Sequence, residues 1–282
     1  MGEVENRGWE FSVKYKVLET KEWGVDVFVN GAHNKGTIKK ISDSTREYND
    51  RVNEHFNTTA LSTGSGYHNK FGVAVGKPVL KYEEGGSLTA IYGMQSLGIS
   101  PATGDELYLD LYGNPTFTWS GDHQRIIGNS EPDLQGSFGL SFRWKNFDVF
   151  TTFSYQVGAD QYNSTLVDRV ENLDYMNYNC DERIMEDRWH KQGDVTKYKD
   201  VNDTNTATRP TSRFLMRNNY VNFGSVSLNW ECDNDWVKSI GLSRLRLSMN
   251  MSDLVRFSTI QIERGLSYPF ARTFNFSLSA NF

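Results

Sequence analysis

The sequence predicts an all-β fold, an antiparallel transmembrane β-barrel segment of about nine strands with short turns at one end and long loops at the other. Three observations carry that expectation. First, residues 273–282 sort without error: Phe274, Phe276, Leu278, Ala280 and Phe282 point one way, and Thr273, Asn275, Ser277, Ser279 and Asn281 the other. Side chains alternate across a strand, so one face is apolar and the opposite face polar but uncharged. Second, short and long connections alternate along the chain. Third, the charges of the clear strands gather on a single face.

Composition narrows the class. The chain has 282 residues, 38% hydrophobic and 13% aromatic, with a net charge of −5. An acidic balance argues against nucleic acid, whose binders carry a basic footprint. No run approaches the roughly 18 apolar residues of a spanning helix. A barrel strand crosses with about 9–11 residues, every second one polar, so a negative mean hydropathy is compatible with it. Residues 1–6 show neither the basic nor the apolar region of a signal peptide. They predict either a chain that is not exported or the later part of a longer one. Cys180 is expected in a long loop and Cys232 in a turn at the opposite end, a membrane thickness away, so both read as free thiols.

In order along the chain, residues 9–17 place Trp9, Phe11, Val13, Tyr15 and Val17 opposite Glu10, Ser12, Lys14 and Lys16. A turn at 21–22 leads to residues 23–30, with Trp23, Val25, Val27 and Val29 on one face. Residues 34–67 read as a long loop. A hairpin is expected from 70–80 and 87–97 around the turn 83–86. Residues 98–133 are punctuated by glycine and proline and read as loop. Phe138, Leu140, Phe142 and Trp144 then answer Phe147, Val149, Thr151, Phe153 and Tyr155 across the turn 145–146. The loop 159–218 is too long to be idle and is expected to be functional, with a short helix within 181–190. Strands at 220–230 and 243–251, joined by a turn near 232–240, precede the last one.

Short turns at 21–22, 83–86, 145–146 and 232–240 against long connections at 34–67, 98–133, 159–218 and 253–269 match the asymmetry of bacterial outer-membrane barrels. Lys14, Lys16, Asp26, Arg143, Asp148, Arg244 and Arg246 all fall opposite the apolar faces. That suits a wet lumen, because a basic residue facing lipid at the midplane costs about 2–4 kcal/mol. Trp9, Trp23, Trp144, Tyr155, Tyr220 and Trp230 lie near strand ends, as interfacial girdles require. No catalytic, cofactor or metal site is read. His33, His55, His68, His123 and His190 fall in loops or strand margins without metal-ligand spacing. Asp122 and His123 are adjacent, which fits a loop surface better than an acid–base pair. Residues 110–114 (DLYGN) and 202–206 (NDTNT) resemble pieces of calcium loops but read as turns.

Several segments, together and in order, carry a family resemblance: 96–104 (SLGISPATG), 127–132 (IGNSEP), 145–158 (KNFDVFTTFSYQVG) with 161–163 (QYN), 188–196 (RWHKQGDVT), 210–214 (PTSRF) with 219–220 (NY), and 268–282 (YPFARTFNFSLSANF). The set resembles the C-terminal part of SusC/RagA-type TonB-dependent outer-membrane transporters. The resemblance implies a 22-stranded barrel in the outer membrane, a size associated with a plugged lumen. It implies no enzyme and no cofactor. It further implies TonB acting through a missing N-terminal part, a SusD-like lipoprotein partner, surrounding outer-membrane lipid, and a glycan or peptide substrate. On this view residues 1–282 are the C-terminal part of the barrel domain, without the plug and the N-terminal strands. Phe274, Phe276, Leu278 and Phe282 would be the outer-membrane assembly signal. Within the loop 159–218, Tyr175, Tyr178 and Trp189 are candidates for stacking on sugar rings, against the alternative that they pack the loop on itself. Two other readings stay open on the residues. One is a barrel-borne hydrolase in which His123 or His190 meets a nucleophile from a distant loop; the other is a soluble β-sandwich surface or adhesion protein.

Overall fold

The computed structural model describes residues 2–58, 60–63, 66–69, 74–172, 182–200, 202–203, 206–260 and 272–281. The chain divides into two compact units. One comprises residues 8–34, 132–159 and 218–282; the other comprises residues 1–7, 35–131 and 160–217.

Seven strands form one sheet whose order follows the chain: β1 (Glu3–Glu19), β2 (Trp23–Lys40), β3 (Leu134–Trp144), β4 (Phe147–Tyr162), β5 (Leu215–Cys232), β6 (Arg244–Ser258) and β7 (Thr273–Asn281). In the first unit the antiparallel ladders bring the apolar positions of neighbouring strands side by side. Val29, Phe138 and Phe153 share one row, Val25, Phe142 and Val149 another, and Trp23, Trp144 and Phe147 a third. Farther along, Leu228, Met249 and Phe276 line up, as do Trp230, Leu247 and Leu278. Each such cross-strand pair contributes roughly 0.2–1 kcal/mol.

The apolar face stays open. Leu140 on a central strand is 37% exposed, and Phe276 on β7 is 74% exposed. A soluble sandwich would cover such a face with a second sheet.

The polar face pairs by charge and amide. Arg143 lies opposite Asp148. Glu231 takes ion pairs from Arg244 at 3.2 Å and Arg246 at 2.5 Å, and Asn30 Nδ2 donates to Ser137 Oγ at 2.8 Å. One feature escapes strict alternation. Phe28 and Phe150 stack on this polar face, with ring centroids 5.8 Å apart and planes 10° apart. Gly139 makes room for them, since a Cβ there would lie 2.5 Å from the Phe28 ring. Beside the short turns, Trp23 and Trp144 stack at 5.5 Å, Trp144 and Phe147 at 6.0 Å, and Phe147 meets Trp230 at 6.3 Å. Of the residues expected at strand ends, Trp23, Trp144 and Trp230 join this row of rings, whereas Trp9, Tyr155 and Tyr220 lie well inside longer strands.

A bulge interrupts the β5–β6 ladder. The register shifts between Phe223 and Ser225, so Phe223 pairs with Val255 and Val226 with Met251. Between these pairs Gly224 of β5 stands opposite two residues of β6, Asp253 and Leu254, so the extra residue lies on β6; Phe223 stacks on Phe153 at 4.5 Å.

Two expectations need correction. The hairpin over 70–97 does not form among the described residues. Residues 78–86 run as loop and turn, and short strands at Ala90–Gly93 and Gln95–Ile99 pair instead with Arg125–Asn129 and Glu106–Leu109. The large sheet therefore has seven strands where the sequence suggested about nine. Residues 78–97 belong instead to a folded loop region with short strands. The strands also outrun their apolar runs: β2 continues to Lys40 and β4 to Tyr162. Backbone ladders need no apolar side chain, so hydrophobic periodicity marks only the greasy part of a strand. Helices stand where loop or turn is expected at Asp43–Asn57, at Ser164–Leu166 continuing into Val167–Glu171, and at the short Asp235–Ser239. The 181–190 region holds a single 3-10 turn, Glu182–Met185. Cys232 is a buried free thiol; Cys180 lies outside the described residues. No described helix is long and apolar enough to cross a membrane.

Candidate functional site

The second unit gathers the long connections into a packed body. Leu166, Val167, Val170 and Phe214 form its apolar centre, with Tyr162, Tyr198 and Met216 packed against it. Asn163 starts this turn by accepting from Leu166 N. Beside the centre sits a buried ionic cluster. Arg213 reaches Glu106 at 2.7 Å and also pairs with Glu171. The side chains of Glu106 and Glu171 are 3% and 0% exposed. Burial pushes the Glu171 carboxyl up, but the Arg213 guanidinium, aided by Lys199 and Arg188, outweighs it and holds the group below the ordinary range. Burial likewise opposes charge on Arg213, and the two carboxylates overcome it to raise its pKa.

Arg188 is a second anchor. Its Nε donates to Ile184 O at 2.8 Å, Nη1 to Lys199 O at 3.0 Å and Nη2 to Val170 O. One guanidinium thereby closes three carbonyls of two loop segments. Asparagines do similar work. The Asn49 side chain donates to Tyr82 O at 2.7 Å and accepts from Tyr82 N at 3.0 Å. Asn172 clasps Thr208 in the same two-way fashion. Each amide stands in for a strand partner where no strand exists.

Trp189 belongs to this scaffold. Its Nε1 donates to Pro101 O at 3.1 Å, and its ring covers Gly104, where a Cβ would fall 2.7 Å from it. Gly104 also holds a left-handed φ of +79°, so glycine is required twice over. The segments 96–104 and 188–196 thus meet through this ring, which is spent at least partly on packing. Tyr175 and Tyr178 lie outside the described residues. Phe274, Phe276 and Leu278 point from β7 on the apolar face, and Phe282 lies outside the described residues.

His33, His55, His123 and His190 each make separate contacts. His33 Nδ1 lies 2.6 Å from Asp133 O, and the His55 ring is half-buried, which lowers its pKa. Asp122 accepts from Asn57 Nδ2 at 3.3 Å while His123 packs edge-on to Tyr112. His190 uses its backbone N–H on Asp194. Among the described residues no group of three or more His, Cys, Asp or Glu side chains has the arrangement of a metal site.

Glu106, Glu171, Arg188, Lys199 and Arg213 had no signal as a group, being scattered over more than a hundred residues. Two of them nevertheless sit inside quoted segments, Arg188 in RWHKQGDVT and Arg213 in PTSRF. Gly158, in the 145–158 segment, is similarly explained. Its φ is +90°, a Cβ would lie 2.1 Å from the Asp133 carboxylate, and its N–H donates to Asn219 Oδ1 at 2.8 Å.

No family model matches the chain. Among curated proteins it is similar to TonB-dependent receptor P3 of Formosa agariphila, 26% identical over the whole of this chain and 29% of that protein. TonB-dependent receptor P39 of the same organism is 21% identical over 93% of this chain and 27% of its own length. The chain therefore spans less than a third of these relatives. Among solved structures, the RagAB peptide transporter superposes with a TM-score of 0.64 at 18% identity, covering 92% of this chain and 26% of that one. The RagAB peptide importer in its open-open state gives 0.65 over 94% of this chain and 26% of that one. That likeness establishes the fold, a portion of a large antiparallel β-barrel.

Proposed function

We infer that this chain, a portion of a TonB-dependent receptor β-barrel of the SusC/RagA type, works as part of an outer-membrane importer of oligosaccharides or other large nutrients. The observation that carries this reading is the open apolar face, whose rows run in register from strand to strand and remain exposed. In lipid such a face is satisfied, and in water it is a liability. Residues 1–282 would supply the C-terminal part of the barrel, with a plug and further strands contributed by the rest of the receptor. TonB would act through that remainder. The folded loop unit would face outward, where a SusD-like lipoprotein caps the mouth and substrate arrives. No step of bond chemistry is needed. The decisive experiment follows uptake by cells carrying the full-length receptor. Deleting the receptor gene should abolish growth on its nutrient, and removing TonB should do the same. Growth on every nutrient without either protein would defeat the reading.

A further inference from the structure

The turn between β5 and β6 carries a short helix, Asp235–Ser239. At about 100° per residue, Trp236, Val237 and Ile240 fall on one half of this turn, and Asp235, Lys238 and Ser239 on the other. We propose that the helix is an interfacial anchor, with Trp236 and Ile240 seated among the phospholipid headgroups and upper acyl chains of the leaflet beside the short turns. The inference rests on the barrel reading above and adds to it a lipid contact outside the strands.

The helix covers the apolar side of the sheet. Cys232, Leu245 and Ala280 line up as the last row of that face, next to the row of Trp230, Leu247 and Leu278. Leu247 and Leu278 stand exposed, yet Cys232 is only 1% exposed. The element packed on β6 at this end is the helix, and its Val237 is fully buried. Leu242 N donates to Val237 O at 3.2 Å, closing the turn around that valine. The apolar half of the helix is therefore turned to the face that meets lipid.

Two side chains of that half stay uncovered: Trp236 is 51% exposed and Ile240 60%. Four positions apart, they are neighbours on the helix surface. Continuity with the rest of the sheet names what covers them. The rings of Trp23, Trp144, Phe147 and Trp230 form a row at this same end, and a tryptophan suits a membrane boundary because its body is apolar while its N–H stays wet. The polar half agrees. Lys238 and Asp235 lie 3.9 Å apart with both side chains in solvent, and a lysine stem lies along lipid while its ammonium stays among headgroups. An amphipathic turn of this kind sits about 5–10 Å into the headgroup and acyl boundary. A soluble protein would reach the same surface only by displacing lipid.

The test uses the full-length protein in vesicles of phosphatidylethanolamine and phosphatidylglycerol, with Cys180→Ser and any other exposed cysteine replaced. A nitrobenzoxadiazole fluorophore is attached at Ile240→Cys, Asp235→Cys or Leu140→Cys, one at a time. It is quenched from water by iodide, or from lipid by nitroxides held at shallow or deep acyl positions. Heat-modifiable gel mobility confirms that each labelled barrel is folded. At position 240 the shallow nitroxide should quench roughly twofold more than the deep one, and iodide should quench little. At position 235, on the polar half, iodide should dominate. Adding Trp236→Ser should open position 240 to iodide. Equal iodide quenching at 240 and 235 overturns the proposal, as does a Trp236→Ser variant whose label keeps its depth. So does a label shielded in native outer membranes but open in vesicles holding this protein alone, which assigns the surface to a protein partner. Position 140 separates the two readings. Iodide quenching there defeats the barrel and the anchor with it, whereas lipid quenching at 140 with iodide quenching at 240 defeats the anchor alone.

Discussion

The two units reach order by opposite routes. In the sheet unit, backbone groups pair with backbone groups along the ladders, and side chains mainly sort an apolar face from a polar one. In the loop unit, side chains do the pairing: Arg188 closes three carbonyls, and Asn49 and Asn172 each clasp a distant residue's backbone. The difference teaches where specificity resides. Any alternating strand can join the sheet, while each loop contact requires one residue type at one place.

That contrast can be broken, most severely through the sheet edges. β1 and β7 are the outer strands of the sheet, and a bilayer does not tolerate open edges. Residues 1–282 expressed alone with an export signal are therefore expected not to insert as a stable monomer. Heat-modifiable mobility in outer-membrane fractions checks this, and a stable monomeric band would sink the idea. In the full-length protein, Arg213→Met should destabilise the loop unit by about 3–5 kcal/mol, since it strands two buried carboxylates. Hydrogen exchange should rise across 166–172 and 211–214 and stay unchanged in β3 and β4. Equal change in both units would show that they do not order separately.

A charge sharpens the comparison from the other side. Leu140→Arg on the apolar face is expected to cost about 2–4 kcal/mol of barrel stability, and Ser141→Arg, on the polar face, close to nothing. Denaturant unfolding of the two variants in lipid vesicles should differ accordingly; matching curves would mean the apolar face does not meet lipid. The smallest effect concerns acid. The folded Glu171 carboxyl lies below its unfolded value of 4.5, so its contribution is present above that pH and is lost as pH falls through the depressed folded value. Protease resistance of the loop unit should thus decline below about pH 4 before the sheet responds. Simultaneous loss would remove the distinction.

Much of the sheet was legible because each strand's pattern is local. Trp23, Val25, Val27 and Val29 announce their face without knowing their partners, and the partner of β2 is Leu134–Trp144, beyond the residues where a hairpin is expected. The failures have physical causes. Strand ends such as 31–40 of β2 carry no apolar rhythm, though their ladder continues. The helix Asp43–Asn57 buries only Val52 and Phe56, too few positions to reveal a period, so its signal lay in the Ser42 cap. Phe28 and Phe150 break the alternation, and Gly139 across the ladder leaves the space the Phe28 ring occupies.

By itself, then, the sequence determined the fold class, the apolar face and the turn side of the sheet, all of which follow from period-two alternation within single strands. It also marked Arg188, Arg213, Gly104 and Gly158 through the segments that carry them, without saying why they were there. Only the tertiary structure decided their roles: that Arg213 bridges Glu106 and Glu171, that Trp189 is laid over Gly104, and that Asn172 clasps Thr208. Those contacts join residues tens to a hundred positions apart. No local pattern encodes such a meeting, because it exists only once the intervening chain has folded back on itself.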